Sequence, residues 1–283
     1  MNLKDIWVFL DEGSASEGRL ELAANIAHDH RACLSAVSMQ KTRATRSLPA
    51  LVPWLEFVGG PPISGAVDTA PSEALADTAE QKFHDRCNGL NVEGDWYPID
   101  RIDPAELIAV ARAADLIIVG QVDPSARPTP AWRPEEVVIG CGRPVLMVPY
   151  IGSYTRIGRR VLVAWDGSRE AIRALNDALP LISAADVVTV MTVRARIKDL
   201  NHNSLSTERV LRHLARHGIT ARADVSLQVG CSTCDVLLSR SVDLGADLIV
   251  AGAYSHSQLR ETLIGGVSRE LFHHMTLPVL MSH

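Results

Sequence analysis

Asp103-Pro-Ala-Glu-Leu-Ile-Ala-Val-Ala-Arg-Ala-Ala-Asp-Leu-Ile-Ile-Val-Gly120 can be laid on Asp235-Val-Leu-Leu-Ser-Arg-Ser-Val-Asp-Leu-Gly-Ala-Asp-Leu-Ile-Val-Ala-Gly252 at a constant offset of 132 residues, with Asp115 on Asp247. A repeat of this length decides the architecture before any local assignment. The flanks repeat too. Arg143-Pro-Val-Leu-Met147 answers Leu277-Pro-Val-Leu-Met281, and Val8-Phe-Leu-Asp-Glu-Gly-Ser14 answers Val163-Ala-Trp-Asp-Gly-Ser168 at an offset of about 154. The fall from about 154 to 132 means that the first copy carries about 20 extra residues between its first strand and the Asp103 helix. They are expected within Gln40 to Pro71, a long loop with five prolines and the cluster Gly59-Gly60-Pro61-Pro62. The domains are therefore expected at 1–150 and 158–283, with the linker between Pro149 and Arg160.

Each copy alternates short apolar runs with stretches of helical spacing, the pattern of βαβ units around a parallel sheet. In the second copy, strands are expected at Arg160–Trp165, Asp186–Val193, Thr220–Leu227, Asp247–Gly252 and Val279–Met281. Helices are expected at Ser168–Leu181, Thr207–His217, Ser232–Leu244 and Ser268–Met275. In the first copy, strands fall near Trp7, Leu34, Trp96, Leu116 and Val145. The expected fold class is α/β: two tandem doubly wound domains, each an open parallel five-stranded sheet with helices on both faces. Such sheets bind ligands outside the C-terminal ends of their strands, so the loops after Leu10, Val163 and Val250 are the places to search.

Composition narrows the partners. With 28 Lys+Arg against 33 Asp+Glu the net charge is −5, and the chain lacks the basic excess that drives nucleic-acid binding. Its apolar runs are far shorter than the roughly 20 residues of a membrane span, and Met1 to Asp11 reads as a strand and not as a secretion signal. Five cysteines at irregular spacing do not suggest a disulfide framework. No nucleic acid, no membrane and a cytoplasmic setting are the expectation.

The stretch after Gly252 carries the chemistry. Gly265-Gly266 leads into a helix whose first amides, at Val267, Ser268 and Arg269, are free to coordinate phosphate oxygens at the positive end of the helix dipole. Ser268 can add its hydroxyl to the phosphate or cap the helix, and a simple turn followed by an N-cap has the same sequence. Asp166, at a strand end, suits ribose hydroxyls or an adenine amino group, or else an acidic start to the next helix. The matching place in the first copy has four prolines after Gly120 and then Glu135-Glu136, both of which oppose phosphate. Asp11 is kept, so a degenerate pocket is expected there, open to another small molecule.

The two-copy organisation, the strand ending in Asp166-Gly167-Ser168, the loop from Gly252 to Gly-Gly-Val-Ser268 and the closing Pro-Val-Leu-Met resemble the universal stress protein family in its tandem form. In ATP-binding members the pattern is Gly, two residues, Gly, nine residues, Gly, then Ser or Thr. The matching positions are Gly252, Ser255, Gly265 and Gly266. Ser255 and Gly266 depart from the pattern, and Ser268 stands two places on as a substitute hydroxyl. The resemblance implies a regulatory adenine nucleotide, ATP with or without Mg2+, in the second domain. Its site would comprise Asp166, Val193 (by its backbone), Gly252, Ser255, Gly265, Gly266, Val267 and Ser268. It further implies an intramolecular pseudo-dimer in which the strands near Val145 and Val279 pair, a further homodimer and an unnamed protein partner.

Two other classes stand beside this one. A nucleotide-independent interaction or chaperone-like protein would use Leu48, Leu51, Val52, Trp54, Leu55 and Phe57 of the long loop. An enzyme has little support: no P-loop, dinucleotide turn or nucleophile elbow is present, leaving at most slow ATP hydrolysis. Cys231-Ser-Thr-Cys234 has redox spacing at a strand-to-helix turn, without a second pair to complete a zinc site. His213 and His217 have ligand spacing on a helix crowded by Arg209, Arg212 and Arg216, which favours a solvated basic face.

Overall fold

A computed structural model of the chain describes residues 2–11, 13–38, 73–98, 108–109, 111–125, 134–195, 205–253 and 266–283. The loop expected at 40–71, the apolar residues assigned to it, and Ser255 and Gly265 lie outside the described residues. The first half contains β1 (Asp5–Leu10), α1 (Ala15–His30), β2 (Cys33–Ser38), α2 (Glu73–Leu90), β3 (Gly94–Pro98), β4 (Leu116–Gly120), α3 (Pro134–Gly140) and β5 (Val145–Val148). The second contains β6 (Arg160–Ala164), α4 (Arg169–Ile182), β7 (Val187–Arg194), α5 (Leu205–Arg216), β8 (Ala221–Leu227), α6 (Thr233–Asp243), β9 (Leu248–Gly252), α7 (Gly266–His274) and β10 (Val279–Ser282). The expected strands of both copies and the four helices of the second are present with ends shifted by a residue or two, while most of the helix expected after Asp103 lies outside the described residues. The helix expected from Ser268 begins at Gly266 instead, which places Gly266 and Val267 inside its first turn.

Among the described residues, ten strands join one sheet in the order β3-β2-β1-β4-β5-β10-β9-β6-β7-β8. Within each half every pairing is parallel, and the halves meet where β5 and β10 run antiparallel, with Leu146 opposite Leu280. Helices cover both faces, so the inner strands read as unbroken apolar runs and not as alternating ones. Ile6, Val8 and Leu10 face α1, α2, α4 and α5, while Trp7 and Phe9 face the side of α3, α6 and α7.

Strand register shows the repeat in three dimensions. Ile6 pairs with Leu116 and Val161 with Leu248, which sets the copies 155 residues apart at the first strand and 132 at the fourth. Asp115 and Asp247 do the same work in each. Asp115 Oδ2 accepts the backbone N–H groups of Lys4 (2.7 Å) and Asp5 (3.2 Å). Asp247 accepts those of Gly158 (2.9 Å), Arg159 (2.9 Å) and Arg160 (3.2 Å). Each carboxylate thus satisfies donors at the start of one central strand from the start of its neighbour and fixes their register.

Side chains also cross between the halves. The buried Gln121 donates from Nε2 to the carbonyls of Phe272 (3.2 Å) and His273 (3.1 Å) at the end of α7. Tyr154 Oη donates to Thr276 O (2.7 Å), and Arg173 Nη2 to Gly142 O (2.7 Å). Among the described residues, no helix is long and apolar enough to cross a membrane.

Asp247→Ala leaves three strand-start amides without their charged acceptor. It is expected to lower the unfolding free energy by about 2 kcal/mol, read from urea titration followed by circular dichroism.

Candidate functional site

At the C-terminal edge of the second half, the backbone leaves β6 through Trp165, whose N–H donates to Met191 O at 2.8 Å. Its indole is buried among the core residues on the α4 and α5 face, with no hydrogen-bond partner for Nε1 among the described residues. Asp166 follows and is exposed. Its Oδ1 accepts the N–H of Ser168 (2.9 Å), and Ser168 Oγ accepts that of Ala171 (3.1 Å), capping α4. Gly167 between them takes φ +82°, which an L side chain rarely adopts. Gly252 ends the neighbouring strand β9. A Cβ there would stand 2.6 Å from Glu170 C and 2.7 Å from Ala171 N, so only glycine lets the first turn of α4 close on the strand end.

Asp166 and Gly252 are therefore brought to the ends of adjacent strands, and Val193, half-buried, lies near the end of the next, β7. The unassigned connection 254–265 leads to α7. Gly266 is exposed, with no described residue within 4 Å of its side-chain face, Val267 is half-buried, and the first turn carries no acidic residue. Ser268 is only 6% exposed; its side chain is packed, and the substitute hydroxyl expected from sequence is largely shielded. At the equivalent place of the first half, Glu135 and Glu136 occupy the first turn of α3.

The first half is built differently in its crevice. Arg19, on the inner side of α1, is 2% exposed. Its Nε donates to Phe9 O (2.8 Å), and Nη2 donates to Asp11 Oδ2 (2.7 Å) and Ser16 Oγ (2.8 Å). A Cβ on Gly120 would stand 2.6 Å from Arg19 Cζ and overlap Nη1. Asp11 Oδ1 also accepts the Gly13 N–H (2.8 Å) and the Ser16 hydroxyl (2.8 Å). Burial pushes the Asp11 carboxyl up, but Arg19, Ser16 and Gly13 outweigh it and hold it below the usual carboxylate range.

Asp11 and Asp166 each accept the N–H two residues on, so Gly13 matches Ser168 and the helices align at 155, not 154. In that register Arg19 stands where the second half has Ala174, itself fully buried. The signal was an arginine within the apolar face of a helix whose copy carries alanine, and the one-residue slip hid it.

The two cysteines of the pair sit in different surroundings. Cys231 is exposed, whereas Cys234 is buried in the first turn of α6, where burial, Glu270 and Asp235 push its thiol up to about 12. A thiol so raised is not a nucleophile near neutrality. Cys33 and Cys87 are pushed up to about 11, chiefly by burial. His213 and His217 face each other with ring centroids 4.7 Å apart, and His213 Nε2 meets Asn176 Oδ1 at 2.9 Å. No group of three or more His, Cys, Asp or Glu suited to a metal ion occurs among the described residues.

Residues 158–283 match the model of the universal stress protein family. No curated protein matches the chain in sequence. Among solved structures, a universal stress protein from Archaeoglobus fulgidus DSM 4304 is similar with TM-score 0.63 and 14% identity, over 98% of this chain and 95% of its own. A functionally unknown protein from Pseudomonas aeruginosa PAO1 is similar with TM-score 0.62 and 17% identity, over 99% and 92%. At these identities the likeness is one of fold, and it spans both halves.

Two measurements check this geometry. In the native chain one cysteine of five, Cys231, is expected to react quickly with a disulfide thiol reagent at pH 7.5, and all five after denaturation; fast labelling of Cys234 by peptide mapping would contradict its burial. The low-lying Asp11 carboxyl contributes stability that is full above the pKa of an unfolded Asp and is lost as pH falls through its lower folded value. The melting midpoint of the parent should therefore exceed that of Asp11→Asn by a constant margin down to about pH 5 and by a shrinking margin below about pH 4.

Proposed function

With residues 158–283 matching the model of the universal stress protein family and the first half repeating their fold, we propose that this chain is a stress-response protein that binds an adenine nucleotide, as ATP, in its second half. The observation that carries the reading is the first turn of α7. Gly266 opens it, exposed, and the turn carries no carboxylate, so the positive helix end suits phosphate oxygens. Asp166, at the end of the strand beside Gly252, is the acceptor for ribose hydroxyls or the adenine amino group, with the backbone of Val193 along the adenine edge. Ser255 and Gly265 belong to the connection that would wrap the phosphates. Magnesium accompanies the triphosphate and is assigned no protein ligand.

In this reading the nucleotide is a regulatory ligand. Binding alters a surface read by a protein partner, inside the cytoplasm. The paired halves stand in for a dimer, and further self-association is left to the same surface. Turnover has no assigned base or nucleophile.

Nucleotide-stripped chain titrated calorimetrically with magnesium ATP is expected to bind one equivalent. Asp166→Ala should weaken binding roughly tenfold, and Gly265→Val should abolish it, with circular dichroism unchanged in both. No heat with the parent chain, after the denatured supernatant has been checked for co-purified nucleotide, would overturn the assignment and leave the nucleotide-independent interaction protein as the function.

A further inference from the structure

The crevice at the end of β1 and β4 in the first half lies where the sheet order reverses, the place at which a doubly wound sheet receives its ligand. It holds acceptors for Nε and Nη2 of one guanidinium group, the Phe9 carbonyl, the Asp11 carboxylate and the Ser16 hydroxyl, and room for Nη1 against the side-chain-free face of Gly120. We infer that this crevice is a guanidinium-binding site that the chain fills with its own Arg19, a tethered occupant that closes the first half to any diffusible ligand.

Three observations support it. First, the fold needs no cation there, because the second half places the buried Ala174 at the same position and closes its strand end with the backbone of Glu170 and Ala171 over Gly252. Second, a guanidinium 98% removed from solvent is tolerated only with charge and hydrogen-bond partners arranged for it, and the four named groups come from three separate elements and converge on its planar fork. Third, Asp11 is itself bound twice more, by Gly13 N–H and Ser16, so the anion is held in place and does not merely follow the arginine. The consequence is an asymmetric chain: one half is permanently occupied from within, and whatever ligand the protein takes must bind elsewhere. This inference does not depend on the identity of that ligand.

Truncating the side chain and returning it in solution tests it. Arg19→Ala is expected to lower the melting midpoint by roughly 6–15 °C. About 10 mM ethylguanidinium, which restores the missing atoms, should recover at least half of that loss. Ethylammonium at the same concentration should recover none, and neither compound should raise the midpoint of the parent, whose site is filled. Should Arg19→Ala fold only when ethylguanidinium is present, the inference is supported equally. Arg19→Lys supplies the second variant, since one ammonium cannot span Phe9 O, Asp11 and Ser16 together; it should lose most of what Arg19→Ala loses. Rescue by ethylammonium as strong as by ethylguanidinium, an equal rise in the parent, full stability in Arg19→Lys, or a folded Arg19→Ala that responds to neither compound would each overturn the inference.

Discussion

The antiparallel pairing of β5 with β10 is the contact on which the rest of this molecule depends. Each half ends in a four-residue buried strand, Val145–Val148, which is apolar throughout, and Val279–Ser282, which is apolar up to its last residue, and alone each would leave an unpaired edge of N–H and C=O groups. An exposed edge of that kind invites association with any other strand. Joining the two edges removes both at once and turns two five-stranded halves into one ten-stranded sheet whose outermost strands, among the described residues, are β3 and β8. The prolines that open these strands lack an N–H, and their carbonyls pair symmetrically, Pro144 O with Ile117 N (3.1 Å) and Pro278 O with Ile249 N (3.0 Å).

Around that seam the copies keep what holds the sheet in register and diverge where ligands would bind. Asp115 and Asp247 clamp their strand starts in the same way, because the backbone donors there must be satisfied in either copy. At the opposite ends of the strands the demands differ. A buried arginine salt-bridged to Asp11 occupies one crevice, while in the other an exposed aspartate adjoins a glycine closed against a helix start. The helix before each final strand differs in the same sense, with two glutamates in the first turn of α3 and none in that of α7. Charge at a helix start acts directly on an incoming anion, so this contrast alone makes the halves unequal toward phosphate.

Gln121 ties the two ends of this asymmetry together. It follows Gly120, against which the Arg19 guanidinium lies, and its amide donates to the last carbonyls of α7. Those carbonyls are orphan acceptors of the helix end, and satisfying them from the other half anchors α7 at its C-terminus while its N-terminus faces the connection from β9. The end of β4 in the first half thus holds the C-terminal end of a helix of the second.

The fold was legible in sequence because it rests on repetition and periodicity. Two aligned stretches ending at Gly120 and Gly252, apolar runs of strand length and helical spacing between them specify a duplicated α/β chain without reference to any contact, since burial on both faces of a parallel sheet imposes those patterns locally. Asp166, Gly252 and the α7 start were also readable, as a carboxylate and glycines at strand and helix ends. Other features depended on distances between residues far apart in the chain. That Ser268 is packed, that Cys234 is buried with its thiol raised, that Gln121 reaches α7 and that Arg19 fills the crevice beside Gly120 are outcomes of packing. Arginine at position 19 carries no local sign of burial; only the convergence of β1, β4 and α1 brings a carbonyl, a carboxylate, a hydroxyl and a bare glycine face around it, and long-range convergence of that kind is decided by tertiary structure alone.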